Sequence, residues 1–328
     1  MYRLAAALAF VALFASAPAA LADGPMPGAV QGSFGVVSPD GKTRYLALGS
    51  GLNTVIETVS TAGGSLQGWA TLAGAWGIPA VTYNSDGGAG LSRDGKTLVL
   101  TTLGQTSITQ VELLNTRTLS VRDRFVLNGS FTYDAMSPDG TRLYFIQWVD
   151  QTNLNKYVVR AYDLHTHTLR PGSIADRTQK SWVMQGQPLT RTTSANGRWV
   201  YTLYQNPGGY PFIHALDTVR GVAHCIGLPY TGDVGGLFNL ILGLGKGDRT
   251  LAVHWKSGRP WLAVDTASFR ITYVRGAGFP WRWAGGGAGG TALVAAAALL
   301  LLQRRRRAEK LVQEPSYPRG LPQRDVVV

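Results

Sequence analysis

A short motif that recurs along the chain, Ser-x-Asp-Gly or a close variant, constrains the fold more than any other feature. Four copies begin at Ser38, Ser92, Ser137 and Ser194, and a degenerate copy with the Asp-Gly order reversed lies at residues 246–250. Asp-Gly and Asn-Gly supply the positive φ that a tight hairpin turn requires, and apolar or β-branched residues flank each copy. Each copy therefore predicts a β-hairpin.

A second pair of predicted strands follows each turn. In the second repeat, residues 108–114 and 119–126 are joined by a polar turn at 115–118. Four short strands in roughly 50 residues are typical of one propeller blade, and few segments here show the apolar period of a helix. The sequence therefore predicts an all-β fold, a β-propeller of about five four-stranded blades, or six if one copy has diverged.

These motifs resemble the WD40-like and YVTN-type β-propeller repeats of exported bacterial proteins. In that family a Ser-Pro-Asp-Gly turn joins the first two strands of each blade, and an Asp-x-x-Thr segment marks the later hairpin. The matching residues are the turns named above, and the resemblance covers roughly residues 33–274. It implies a propeller on an exported protein and says little about activity.

Two apolar segments at the ends of the chain predict export and membrane anchoring. Residues 1–22 combine Arg3, an apolar run and a small-residue ending, which is typical of a cleavable signal peptide; an uncleaved anchor is the alternative. Residues 284–302 carry no charge and are followed by four arginines at 304–307, as in a single transmembrane helix whose arginines mark the cytoplasmic side. A buried helix of a soluble domain is the alternative for this segment.

The predicted organisation is that of a single-pass, type I membrane protein with an extracellular propeller. The propeller is followed by a juxtamembrane linker, one membrane helix and a basic cytoplasmic tail. The predicted parts are a signal peptide at 1–22, a linker at 23–33, the propeller at 34–275, a linker at 276–283, the transmembrane helix at 284–302 and the tail at 303–328.

The net charge of +12 does not indicate a nucleic-acid-binding protein. Part of the excess lies in the tail, and the positive charges of the propeller are spread without the cluster that phosphate neutralisation requires. We therefore expect no nucleic-acid partner. The chain has one cysteine, Cys225, so an internal disulfide is impossible, and its apolar neighbours in the sequence predict a buried thiol.

The predicted ligand site lies on one rim of the propeller. The Asp-Gly turns form one rim, and the loops between second and third strands form the other, together with links between blades such as residues 75–88. Propellers usually bind ligands on that second rim, where aromatic, amide and charged side chains suit a glycan, a peptide or a protein. The candidates are Trp148, Asp150, Gln185, Tyr204, Gln205, His254 and Trp255. Packing between neighbouring blades is the alternative role for the large aromatics.

Motifs for catalysis or metal binding are sparse. His165 and His167 have the spacing of metal ligands but share one predicted turn without a third ligand. Asp134 and Asp150 are candidates for a carboxylate pair in glycoside hydrolysis. We predict a surface-anchored, non-catalytic binding or protein-interaction module without a cofactor. An exported propeller hydrolase (lactonase-like or glycan-cleaving) and a structural subunit of an envelope complex are the alternatives.

Overall fold

The structure, a computed structural model, consists of consecutive antiparallel hairpins. It describes residues 27–84, 87–104, 107–150, 155–176, 183–207 and 209–273, all within one compact unit, Met1–Ala277. Both predicted apolar end segments lie outside these residues. Within the described part of the chain, no helix is long and apolar enough to cross a membrane.

Five sheets follow one another along the chain and give a propeller-like arrangement. Strand β1 (Gly28–Val30) comes first, and the first sheet is then formed by β2 (Gly32–Val37), β3 (Thr43–Ser50), β4 (Asn53–Ser60) and β5 (Leu66–Ala73). The second sheet contains β1, β6 (Trp76–Ala80), β7 (Thr97–Thr102), β8 (Ile108–Asn115) and β9 (Val121–Asn128). The third contains β10 (Ser130–Met136), β11 (Arg142–Trp148), β12 (Lys156–Asp163), β13 (Thr168–Leu169) and β14 (Met184–Gln185).

The last two sheets have four strands each. The fourth contains β15 (Gln187–Thr193), β16 (Trp199–Gln205), β17 (Phe212–Asp217) and β18 (Val222–Gly227). The fifth contains β19 (Leu240–Leu244), β20 (Thr250–Trp255), β21 (Pro260–Asp265) and β22 (Ile271–Tyr273). Short 3₁₀ helices at Val234–Asn239 and Lys246–Asp248 flank β19. The prediction of an all-β fold with five blade-like sheets is thus confirmed.

The recurring turns are closed by the same local hydrogen bonds. In the first repeat the Ser38 hydroxyl donates to Asp40 Oδ1 at 2.5 Å, and the Gly41 amide donates to the Ser38 carbonyl at 2.8 Å. Equivalent bonds form in the second, third and fourth repeats. The glycine has a φ of 70–74° in all five copies: Gly41, Gly95, Gly140, Gly197 and Gly247. The predicted hairpin turns are confirmed.

Apolar cores lie between consecutive sheets, because each sheet turns alternate side chains toward its neighbour. Four clusters of buried residues join the first sheet to the second, the second to the third, the third to the fourth and the fourth to the fifth. Within the described ranges, no such cluster joins the fifth sheet to the first. Each core can be represented by one residue from each of its two sheets. In chain order these pairs are Ile56 and Leu98, Val111 and Phe145, Tyr157 and Tyr204, and Leu203 and Val253.

The second repeat departs from the regular pattern. Residues 75–88, predicted as a link between blades, contain β6, every residue of which is buried. After β6 the chain reaches the fourth sheet, where the Tyr83 amide donates to the Pro188 carbonyl at 3.1 Å and the Asn84 amide to the Leu189 carbonyl at 2.8 Å. Asn84 Nδ2 also donates to the Phe238 carbonyl, beside the fifth sheet, at 2.7 Å. Residues 83–84 therefore connect three blades.

Candidate ligand-binding site

Two of the predicted rim aromatics lie inside the protein. Tyr204 is fully buried and Trp148 is 7% exposed, both in the core between the third and fourth sheets. Tyr204 stacks on Tyr157 with ring centroids 4.9 Å apart, and Trp148 packs against Tyr157 at 5.8 Å. Large rings fill the space between neighbouring sheets. Interblade packing, the alternative role, describes both positions.

The other predicted site residues keep part of their surface accessible: Asp150, Gln185, Gln205, His254 and Trp255. Lys156 Nζ donates to Asp150 Oδ2 at 3.2 Å, and strand register places Gln185 beside Lys156. His254 and Trp255 lie at the end of β20 in the fifth sheet. The candidates are thus distributed over three blades.

Trp255 belongs to a partly exposed aromatic group formed by the fifth sheet and the segment that precedes it. Its ring centroid lies 6.5 Å from that of Trp261, and Trp261 meets Tyr230 edge to face at 5.6 Å. The Arg259 guanidinium lies over Trp255, 5.3 Å from the ring centroid. The three rings also pack against the core between the fourth and fifth sheets. They therefore combine a structural role with an accessible surface.

A cavity of about 380 Å³ is lined by residues of the first four blades. Its walls come from β2, residues 88–93, β10 and β15, and from the neighbouring Asp-Gly turns. The cavity therefore adjoins the turn rim, whereas the sequence predicted a ligand site on the opposite rim. None of the predicted site residues lines it. Apolar lining residues include Val36, Leu91, Met136 and Val200, and the charged ones are Arg93, Asp134 and Arg191.

A buried ion pair forms part of the cavity wall. Arg191 Nη2 donates to Asp134 Oδ1 at 3.2 Å, and Arg191 Nη1 donates to the Asp134 carbonyl at 2.6 Å. Asp134 is 2% exposed, and the Arg191 side chain is 17% exposed. Burial raises the pKa of Asp134, and the positive charge of Arg191 opposes that rise. Arg191 Nε is buried and has no hydrogen-bond partner among the described residues. The guanidinium is thus incompletely satisfied.

The sequence prediction did not include Arg191, although the repeats contain the signal. Asp134 lies three residues before the turn serine Ser137, and Arg191 lies three residues before Ser194. The two therefore occupy equivalent positions on the innermost strands of adjacent blades. If the repeats are aligned on their turn serines and the alignment includes the residues before each turn, Asp134 and Arg191 fall in the same column.

Contacts between turns connect the blades beside the cavity. Arg93 Nε, in the turn of the second blade, donates to the Ala195 carbonyl in the turn of the fourth blade at 3.3 Å. The Ala195 amide in turn donates to Asp248 Oδ2 in the fifth blade at 2.6 Å. Arg93 itself is exposed and lines the cavity. These bonds hold an exposed guanidinium beside the cavity.

The residues considered for catalysis or metal binding do not assemble into such a site. Asp134 pairs with Arg191, and Asp150 pairs with Lys156, so each carboxylate has a cationic partner. His167 Nδ1 lies 3.8 Å from Asp123 Oδ2 on the surface. Among the described residues no group of three or more His, Cys, Asp or Glu side chains is arranged to hold a metal ion.

Cys225 and His214 lie close together between the third and fourth blades. Cys225 Sγ is 3.7 Å from His214 Nδ1, and His214 is 2% exposed. Burial raises the pKa of the Cys225 thiol to about 12 and lowers the pKa of His214 to about 4. Both groups are therefore neutral near pH 7, which does not favour a thiolate nucleophile at this position.

Comparisons with known proteins give a likeness only at the level of solved structures. No protein-family model matches the chain, and no curated protein matches it. The Dos1 propeller has 9% identity and a TM-score of 0.44 over 74% of this chain and 57% of that chain. TolB from Acinetobacter baumannii has 13% identity and a TM-score of 0.43 over 75% and 56%.

A third similar structure is the hydrazine synthase of Kuenenia stuttgartiensis, with 17% identity and a TM-score of 0.43 over 74% of this chain and 70% of that chain. The present chain spans little more than half the length of the Dos1 and TolB chains. At these identities and TM-scores the likenesses carry no argument about function. The propeller description rests on the sheet topology above.

Proposed function

We propose that this protein is a non-catalytic binding module whose ligand is a small molecule with an anionic group and an apolar body. The main support for a small-molecule ligand is the cavity, because its volume of about 380 Å³ lies within the range of small-molecule sites. Apolar side chains such as Val36 and Val200 suit the body of such a ligand.

The charges around the cavity favour an anion. Two guanidinium groups, Arg93 and Arg191, and one carboxylate, Asp134, line it. Arg191 is engaged with Asp134, whereas the terminal nitrogens of Arg93 have no partner among the described residues. A carboxylate or phosphate can accept two hydrogen bonds from one guanidinium. Arg93 is therefore the residue that we assign to the ligand's anionic group.

The test uses two ligands of matched size and opposite charge, hexanoate and hexylamine, in isothermal titration calorimetry with the full chain. Hexanoate should bind saturably and hexylamine should not. Arg93→Met should weaken hexanoate binding by about tenfold, since one charge-assisted contact is lost. Arg117→Met, at an exposed turn of the second blade, is the control and should leave binding unchanged. Absence of hexanoate binding, or equal binding to both variants, would contradict the proposal.

We further propose that the module is displayed on the outer face of a membrane. The support is in the sequence: the signal-like residues 1–22 and the apolar residues 284–302 followed by arginines at 304–307. Protease added to intact cells should digest the propeller and spare an epitope placed after Val328. Digestion of that epitope would show that the orientation is wrong.

We also propose that the opposite rim contacts a larger partner, which is a protein, a peptide or a glycan. Its support is the partly exposed group of Trp255, Trp261 and Tyr230 with Arg259 above one ring. Aromatic and arginine side chains are enriched where binding energy concentrates in interfaces. The proposed partner surface is therefore formed by the fifth blade and the segment that precedes it.

A further inference from the structure

One face of the first sheet is apolar and uncovered. Strands β3, β4 and β5 direct Tyr45, Ile56 and Leu72, respectively, into the core shared with the second blade. The alternate positions point the other way and form what we call the open face. Its apolar residues are Leu46, Leu48, Val55, Val59, Leu66 and Trp69.

The open face has the composition of a buried surface. An antiparallel sheet with one side in water normally alternates apolar and polar residues, whereas here both sides are apolar. Trp69 is 64% exposed and Leu66 is 55% exposed, and the other four residues are partly exposed. No cluster of buried residues within the described ranges joins the fifth sheet to the first, so the described blades leave this face accessible.

Two charged residues on the open face indicate what covers it. Glu57 lies in the middle of the face, directly between Leu46 and Trp69 on the flanking strands. Arg44 is its diagonal neighbour on β3, opposite Val59. Within the described part of the chain, neither side chain forms an ion pair or a hydrogen bond, and both are partly exposed. A covering surface that presents a cation to Glu57 and an anion to Arg44 therefore gives each charge a direct partner.

A second copy of the same face supplies both partners. A twofold axis that passes between Glu57 and Arg44 places each residue opposite the other residue of the second copy, and it packs the apolar rows against each other. Contacts of this kind are self-complementary, as in twofold dimers generally. We propose that the protein forms a twofold dimer through the open face, with reciprocal Glu57–Arg44 ion pairs at its centre.

The test measures the mass of the full-length chain in mild detergent by sedimentation. The unmodified protein should be a dimer. Glu57→Arg and Arg44→Glu should each raise the dissociation constant by about 10- to 100-fold, because each places two like charges opposite each other. The two variants mixed together should associate again, since a mixed dimer has complementary pairs. Arg117→Glu, at an exposed turn outside the open face, is the charge-matched control and should not change the mass.

Circular dichroism checks that each variant is folded. Trp69→Ser provides a second test, since Trp69 is 64% exposed in the single chain. It should weaken association while the folded spectrum persists. A monomeric unmodified protein would overturn the proposal. So would a dimer that is insensitive to these variants, or single variants that do not associate with each other when mixed.

Discussion

Asp134 and Arg191 occupy equivalent positions in consecutive repeats, and their side chains meet beside the cavity with 3.2 Å between Oδ1 and Nη2. Removal of one partner leaves the other charge largely buried without compensation. We expect Asp134→Ala to lower the free energy of unfolding by roughly 3 kcal/mol, measured by urea denaturation. The double variant Asp134→Leu/Arg191→Met should recover most of this loss, because it has no charge to bury. A double variant as unstable as the single one would contradict this account.

At the third Asp-Gly turn, the cost of backbone strain can be measured separately from the cost of a steric clash. Gly140 has a φ of 70°, and a Cβ built there meets nothing within 4 Å. Gly140→Val should therefore cost about 1–2 kcal/mol of stability through strain at positive φ. Gly227→Val is the matched control, because a Cβ there also meets nothing and its φ is not positive. Equal effects of the two substitutions would show that strain is not the cause.

The different environments of two tryptophans predict different effects of truncation. Trp148 is 7% exposed in the core between the third and fourth blades, whereas Trp255 is partly exposed. Trp148→Ala should lower the free energy of unfolding by roughly 3–5 kcal/mol, and Trp255→Ala should lower it clearly less. Thermal melts of the two variants make the comparison. A larger drop for Trp255→Ala would mean that its packing, and not its accessible surface, dominates.

His214 should make the protein sensitive to mild acid. Its pKa is about 4 in the folded state against an ordinary value of 6.5, because burial disfavours the charged ring. Between pH 6.5 and pH 4, His214 is therefore protonated in the unfolded chain and remains neutral in the folded protein. The resulting stability is fully present above pH 6.5 and is lost as the pH falls toward 4, by about 3 kcal/mol.

His214→Phe isolates this contribution, since Phe keeps a ring in the apolar core and does not titrate. Urea denaturation at pH 7 and pH 4.5 should show a smaller loss of stability in the variant than in the unmodified protein. The ring Nε2 has no hydrogen-bond partner among the described residues, so the variant should not be strongly destabilised at pH 7. An equal loss in both proteins would assign the acid sensitivity to other groups.

The five turns were predictable because the interactions that form them are local. In four of them a serine, an aspartate or asparagine, and a glycine with positive φ close the hairpin within a few residues, and the fifth keeps the glycine with positive φ. Strand β6 was not predictable in the same way. Trp76–Ala80 is buried throughout, so it lacks the alternation that identifies a strand with one side in water. Its place depends on pairing with β1 and β7, which are distant in sequence.

The candidate site was less predictable than the fold. Composition identifies aromatic residues near strand ends, but their burial depends on how closely two sheets pack, and Trp148 and Tyr204 both lie in an interblade core. The Asp134–Arg191 pair follows from the repeat register, yet its importance depends on the cavity beside it, which residues of several blades line. Shape of this kind arises from the packing of several blades and leaves no mark in a single repeat.

The hydrogen bonds from residues 83–84 to the fourth sheet have a consequence for folding. Repeat arrays in which each unit contacts only its neighbours can unfold progressively from one end. Here a segment of the second repeat completes the packing of repeats synthesised much later. The early blades therefore depend on the late ones, and loss of the fifth blade should expose Tyr83 and loosen the second. The domain should unfold in one concerted transition rather than one blade at a time.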